Sequence, residues 1–223
     1  MMNKKLWITN IIINSLIFVL LIVAVLLMFF GDPGVLASSR WSAFKYFTVQ
    51  SNVLAGLSSL LSVIYLLTHK DKEYPGWIAI IKLVGAVSVG VTFAVVMTYL
   101  GMIYGYALLF QKANLFLHGI IPVMSMAAFA ITEPKMKLRF TMNLYSFLPV
   151  TLYGIAYLAN VAAKGDYGNY KGADWYAFGT YGLGIGFLCL FIILVMSFAI
   201  SVGLYLLHQR TRIKALHEEK RED

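Results

Sequence analysis

Six stretches of this chain contain no Asp, Glu, Lys or Arg: 6–31, 46–69, 83–111, 113–132, 140–163 and 175–209. A helical span of a bilayer needs about 20 mainly apolar residues, and each stretch is long enough and bracketed by charge. Only 13% of the residues are charged and 60% are hydrophobic, whereas a soluble domain has about a quarter of its residues charged. A surface so poor in charge faces lipid, where backbone polar groups have no water to bond and a chain crosses as helix. The predicted fold is all-α: a polytopic bundle of six transmembrane helices, forming a single membrane domain over 1–223. The helices are expected at about 6–30, 41–68, 77–102, 113–132, 141–163 and 175–207.

Lys4 and Lys5 precede the first apolar run, and Val35-Leu36-Ala37 resembles a signal cleavage site. A signal core is about 7–15 residues long. The run from Leu6 to Phe30 exceeds that, so it is expected to remain as a span. The net charge of +8 follows the membrane rather than a nucleic acid. With the N-terminus inside, 13 of the 18 Lys and Arg residues fall on the inner side. The five outside are Arg40, Lys45, Lys112, Lys164 and Lys171. That bias places both termini in the cytoplasm and suits a multipass protein of the cell membrane. Lys82, in the first turns of the third helix, is expected to snorkel to the cytoplasmic headgroups. Cys189 is the single cysteine, expected to behave as a small hydrophobe. The histidines are scattered and show no metal-ligand spacing, so neither metal nor cofactor is expected. The oligomeric state is not encoded legibly.

Polar side chains inside a bilayer are costly unless they face the bundle interior. At 100° per residue, Asn114, His118, Pro122, Ser125 and Thr132 share one stripe of the fourth helix, opposite Phe116, Ile120 and Val123. On the second helix Thr48, Ser51, Asn52, Ala55, Ser59 and Ser62 share a face, opposite Leu57, Leu61 and Ile64. For Ser59, Ser62 and Ser125, close packing of small residues is sufficient explanation. The same holds for Gly182 and Gly186, a GxxxG pair with no dinucleotide spacing. The outer ends say more. Thr48 lies about 10 Å below the entry of its helix and His118 roughly 7–8 Å below the entry of its own. A hydroxyl beside a neutral imidazole is the minimum set for nucleophilic acyl transfer. A histidine hydrogen-bonded for structure alone fits the same placement. No Asp or Glu lies within the spans to orient His118, so Asn114 or a tyrosine is the candidate to hold its ring.

The run Lys45-Tyr46-Phe47-Thr48-Val49-Gln50-Ser51-Asn52, followed by Leu115-Phe116-Leu117-His118-Gly119-Ile120-Ile121-Pro122, resembles the androgen-induced and androgen-dependent TFPI-regulating membrane proteins and their bacterial relatives. Trp175-Tyr176-Ala177-Phe178 is similar to that family's aromatic motif before the last helix, with Ala177 where the animal proteins have Pro. The resemblance implies a multipass hydrolase that cleaves fatty acid esters of hydroxy fatty acids, with an intramembrane Thr nucleophile and a His base. Thr48 and His118 fall on those positions, the pair that depth and facing also select. Ser51, Asn52, Asn114, Tyr157 and Asn160 are the candidates for substrate binding or oxyanion stabilisation, and Ser51 is the fallback nucleophile. The expected partners are a lipid ester drawn from the bilayer and membrane lipids, with no nucleic acid. The competing expectation is a non-catalytic lipid-binding or transport protein. Coupled carriers place ionisable residues midway through the membrane, and no acidic residue lies in these spans.

Overall fold

The computed structural model describes residues 4–34, 39–69, 72, 74–133, 136–169 and 172–222. The cleavage-like triplet at 35–37 lies outside them. Six helices are long and apolar enough to cross a membrane: α1 (Lys4–Phe30), α2 (Phe47–Thr68), α3 (Gly76–Tyr104), α4 (Ala113–Thr132), α5 (Phe140–Lys164) and α6 (Leu183–Glu222, with the candidate span over Leu183–Ala215). The chain is therefore built as a multipass membrane protein.

Long-range hydrogen bonds set the direction of each helix. Near the start of α1, Trp7 Nε1 donates to Leu66 O of late α2, and Asn10 Nδ2 donates to Thr132 O at the end of α4 (3.4 and 2.8 Å). In α6, Ser201 Oγ donates to Asn143 Oδ1 in the first turns of α5. The helices alternate in direction, so the start of α1 and the end of α6 share one end of the bundle, the near end. The far end holds the loops before α2, between α3 and α4, and between α5 and α6.

The helix at the centre is α3. Residues 82–92 are all buried. Its glycines let neighbours approach: a Cβ on Gly85 would stand 3.2 Å from Ala55 Cα of α2, and one on Gly90 would stand 3.0 Å from both Met126 Sδ of α4 and Ile200 of α6. The expected lipid face of α2 is exposed, whereas on α4 only Val123 is, with Phe116 and Ile120 half-buried and Phe116 packed against α1 and α2. Leu57, Leu61 and Ile64 are 47%, 36% and 50% exposed. Asn52, Ala55, Ser59 and Ser62 on the opposite face of α2 are buried, as are Asn114, His118, Pro122, Ser125 and Thr132 of α4.

Four expectations need correction. The segment before α2 is a separate 3₁₀ turn, Arg40–Lys45, cut off by extended Tyr46, so α2 begins at Phe47 rather than at Trp41. The last helix begins at Leu183, not at 175. Residues 175–182 are turns, because Ala177 and Gly182 take left-handed φ of 58° and 92°, which a continuing helix does not permit. Gly182 thus lies outside any helical packing pair, while a Cβ on Gly186 would stand 2.7 Å from Leu158 of α5. Lys82 does not snorkel: its ammonium is buried against Glu133 at 3.0 Å, with both side chains 3% exposed or less.

Candidate functional site

Two compartments lie inside the bundle, one apolar and one polar, with α2 and α3 between them.

The first is a narrow cavity, open at its mouth, among α2, α3, α5, α6 and the 175–182 segment. Its walls are apolar: Val91 and Val95 of α3, Val150 and Leu158 of α5, Leu190 and Ile193 of α6. Hydroxyls gather towards its far end: Thr48, Thr92, Tyr153, Tyr157 and Tyr176. The tyrosines are held by backbone and by one carboxylate. Tyr176 Oη accepts the Phe47 N–H at 2.9 Å, a donor left free in the first turn of α2. Tyr153 Oη donates to Lys45 O at 2.7 Å and accepts Trp175 Nε1–H at 3.1 Å. Tyr157 Oη donates to Asp174, which is fully buried, and accepts the Tyr176 N–H at 3.3 Å. The other Asp174 oxygen accepts the N–H groups of Gly168 and Gly179 at 2.7 and 2.9 Å. One carboxylate thereby folds the α5–α6 loop back into the bundle and sets Tyr176 beside the Thr48 side chain. Burial pushes the Tyr176 phenol up to about 12, so this hydroxyl keeps its proton at neutral pH. A second, more open hollow at Lys45, Gln50 and Trp175 shares Tyr153 and Tyr157 with the cavity.

The second compartment lies between the polar faces of α1, α2, α3 and α4, and His118 stands at its far end. Pro122 has no N–H for the carbonyl of His118, one helical turn earlier, and the helix widens to a π turn over Phe116–Ile120. Such turns recur at functional sites. His118 is buried, and its Nδ1 lies 2.8 Å from Leu109 O in the α3–α4 loop. A carbonyl only accepts, so Nδ1 carries the hydrogen. In the neutral ring this leaves Nε2 with a free lone pair, and Nε2 makes no hydrogen bond among the described residues. A backbone carbonyl thus does the orienting that Asn114 or a tyrosine was expected to do. A main-chain oxygen carries no sequence signal.

Thr48 and His118 are not hydrogen-bonded to each other; Asn52 connects them. Its amide nitrogen donates to Thr48 O at 2.7 Å and to Leu117 O at 2.9 Å, fastening the first turns of α2 to α4. With both amide hydrogens on carbonyls, Asn52 has none left for an oxyanion, and that expected role falls away in favour of a bracing one. Ser51 Oγ lies 2.9 Å from Thr92 Oγ1 and 3.0 Å from Thr48 O, buried and off the cavity wall, whereas Thr48 lines the cavity. Asn114 is buried beneath Gly34 of the α1–α2 loop. Asn160 is half-buried and lines neither hollow, whereas Tyr157 lines both. Among the described residues no group of His, Cys, Asp and Glu is arranged to hold a metal ion. Asp174 and the loop-borne role of Tyr176 escaped the sequence reading; the one hint was that Asp174 directly precedes the aromatic motif.

Compared with protein-family models, curated proteins and solved structures, the chain matches none.

Proposed function

We propose that this protein is an intramembrane lipid ester hydrolase of the cell membrane, with its near end in the cytoplasm, acting on esters of the fatty acid–hydroxy fatty acid type. One observation carries the reading: the Thr48 hydroxyl stands at the polar end of an otherwise apolar cavity, one helical turn from the Asn52 brace that ties it to the His118 segment. The hydrocarbon of a lipid fills the apolar walls while its carbonyl meets the hydroxyls. His118 Nε2 takes the Thr48 proton, and Oγ1 attacks the ester carbonyl. The alcohol leaves with that proton, and an acyl-threonine remains. Water, deprotonated by His118, then attacks the acyl carbon. The bond to Thr48 Oγ1 breaks, the threonine regains its proton and the acid departs. Tyr176, and Tyr153 if it releases Lys45 O, are the side-chain donors near the developing oxyanion. The separation of Thr48 and His118 suits a resting state, because catalytic hydrogen bonds often tighten only with substrate bound.

The test is turnover of a lipid ester panel, and labelling by a fluorophosphonate, with the purified protein in nanodiscs. Thr48→Ala and His118→Ala should each cut turnover by about 10²- to 10⁴-fold, the usual worth of acid–base catalysis, with helical content unchanged. Full activity in both variants refutes the reading. The missing Thr48–His118 bond favours one alternative, a lipid-binding protein without catalysis. It would bind a fluorescent ester equally well as wild type and as Thr48→Ala, and turn it over in neither form.

A further inference from the structure

Among the described residues, six buried side-chain atoms have no hydrogen-bond partner: Asn52 Oδ1, Ser62 Oγ, Tyr74 Oη, Ser88 Oγ, Ser125 Oγ and Glu133 Oε2. Buried polar atoms are almost always paired, with protein or with ordered water. Five of the six, all but Ser88, belong to the polar compartment among α1–α4. The Asn52–Leu117 contact fixes the register of α2 against α4. Seven residues further along α2 and eight further along α4, about 10–12 Å deeper, Ser59 and Ser125 lie in neighbouring layers of the facing seams. Ser59 accepts a hydrogen bond from Lys82 at 3.3 Å, and Lys82 also holds Asn14 Oδ1 at 2.5 Å and Glu133 at 3.0 Å. Glu133 uses only Oε1, which also accepts from Asn14 at 3.2 Å. Tyr74 closes the near end: its hydroxyl has Ser62 and Asn10 as polar neighbours, neither in hydrogen-bond geometry, and feels the charge of Glu133. The unmet groups therefore follow one path, from Tyr74, Ser62 and Glu133, past Lys82 and Ser125, to Asn52 beside the His118 segment.

Charge decides what fits there. Lys82 and Glu133 cancel, so a bound cation or anion would leave a net charge inside the membrane. Water is neutral. It donates to Glu133 Oε2 and Asn52 Oδ1, and it accepts from the hydroxyls of Ser62, Tyr74 and Ser125.

We propose that the polar seam among α1–α4 holds a file of water molecules that runs from Tyr74 at the near end to His118, and that this file delivers the water consumed in deacylation. Occupancy of the file stands on the unpaired atoms; its delivery role rests on the hydrolase reading. The lipid and the water then reach Thr48 and His118 from opposite sides of α2 and α3.

X-ray hydroxyl-radical footprinting of the full chain in nanodiscs tests the file, because radicals formed from internal water label side chains that bulk solvent does not reach. Tyr74 and His118 should be labelled, and Phe129, fully buried in the hydrophobic core cluster of α3, α4 and α6, should not. Ser125→Leu should block the file, abolishing labelling of His118 while Tyr74 stays labelled. Ser125→Val, nearer in size, should weaken it in the same direction if the larger residue impairs folding. Ser88→Ala should change neither. Absence of label from Tyr74 or His118 in the native protein overturns the file, as does undiminished His118 labelling in both Ser125 variants. Delivery is read separately by mass spectrometry: Ser125→Leu should retain the first-turnover burst, lose steady-state turnover and accumulate acyl-Thr48. Loss of burst and steady state together, or of neither, overturns delivery. If Thr48→Ala is as active as wild type, the hydrolase reading falls and the footprint still decides the file.

Discussion

Replacing Lys82 with Met tests whether the near end of the bundle is held by a buried ion pair. The methionine keeps the length and apolar stem of the lysine and removes only the ammonium. In the native protein that ammonium has three partners: Glu133 Oε1 at 3.0 Å, Asn14 Oδ1 at 2.5 Å and Ser59 Oγ at 3.3 Å. At 3.0 Å and an effective dielectric constant of about 20, the Coulomb attraction is roughly 5 kcal/mol. Desolvation of the two charges offsets much of it in the intact pair. Once the ammonium is gone, Glu133 keeps its desolvation cost with Asn14 as its remaining side-chain donor, and breaking a buried pair in this way costs about 3–5 kcal/mol. Lys82→Met should therefore lower stability by that amount, measured by reversible unfolding of the purified protein in mixed micelles. Lys82→Met combined with Glu133→Leu should recover most of the loss, because an apolar replacement of a whole buried pair is often neutral or better. A single-variant cost below about 1 kcal/mol, the range of exposed pairs, would refute the burial. Lys82 would then behave as the snorkelling residue its sequence position suggests.

Three shorter predictions concern the far end. Tyr176→Phe removes a hydroxyl beside Thr48 and should lower kcat by about 10²-fold, the scale for one lost oxyanion donor, with fluorescent-ester binding unchanged. Asp174→Asn leaves the N–H groups of Gly168 and Gly179 without a charged acceptor. It should destabilise by about 2–3 kcal/mol and weaken ester binding, read by unfolding and by quenching of tryptophan fluorescence. The hydrogen bond from Lys112 holds the exposed Asp32 carboxyl below its usual range, with help from the Gly34 N–H. That contribution is present above the unfolded carboxyl value near 3.9 and is lost as pH falls through the lower folded value. Lys112→Gln should raise the Asp32 titration midpoint followed by carboxyl NMR.

The periodicity of α2 and α4 made their buried faces legible, because one strongly polar residue per turn in an apolar helix has only the interior to face. Helix number followed from charge-free length for the same reason. The reading broke where charge itself marked the boundary. Glu133 and Asp174 are among the charges that bracket the charge-free stretches, yet both turn inward. Glu133 meets Lys82 across the near end, and Asp174 gathers a loop at the far end. A carboxylate at a helix end reads identically whether it faces headgroups or a lysine 51 residues earlier in the chain; only the tertiary register decides. The 175–182 segment reads as the start of a helix because its aromatic composition outweighs Gly179 and Gly182, while the left-handed Ala177 has no compositional mark.

Asn52 is where the two compartments meet, and it separates their roles experimentally. Its single amide nitrogen holds Thr48 O on the cavity side and Leu117 O on the His118 side. Asn52→Leu keeps the volume and deletes both hydrogen bonds, at a cost of about 1–3 kcal/mol, since the Leu117 carbonyl lies inside the bundle. The apolar walls of the cavity are untouched by this change, so ester binding should persist. Tightening of Thr48 towards His118 depends on the two helix turns moving as one body, so turnover should fall far more than binding does. A kcat loss with an unchanged binding constant is the signature of an interaction realised in the transition state. If binding and kcat fall together, Asn52 merely shapes the cavity. If neither falls, the brace does not couple Thr48 to His118, and the pair is not a catalytic unit.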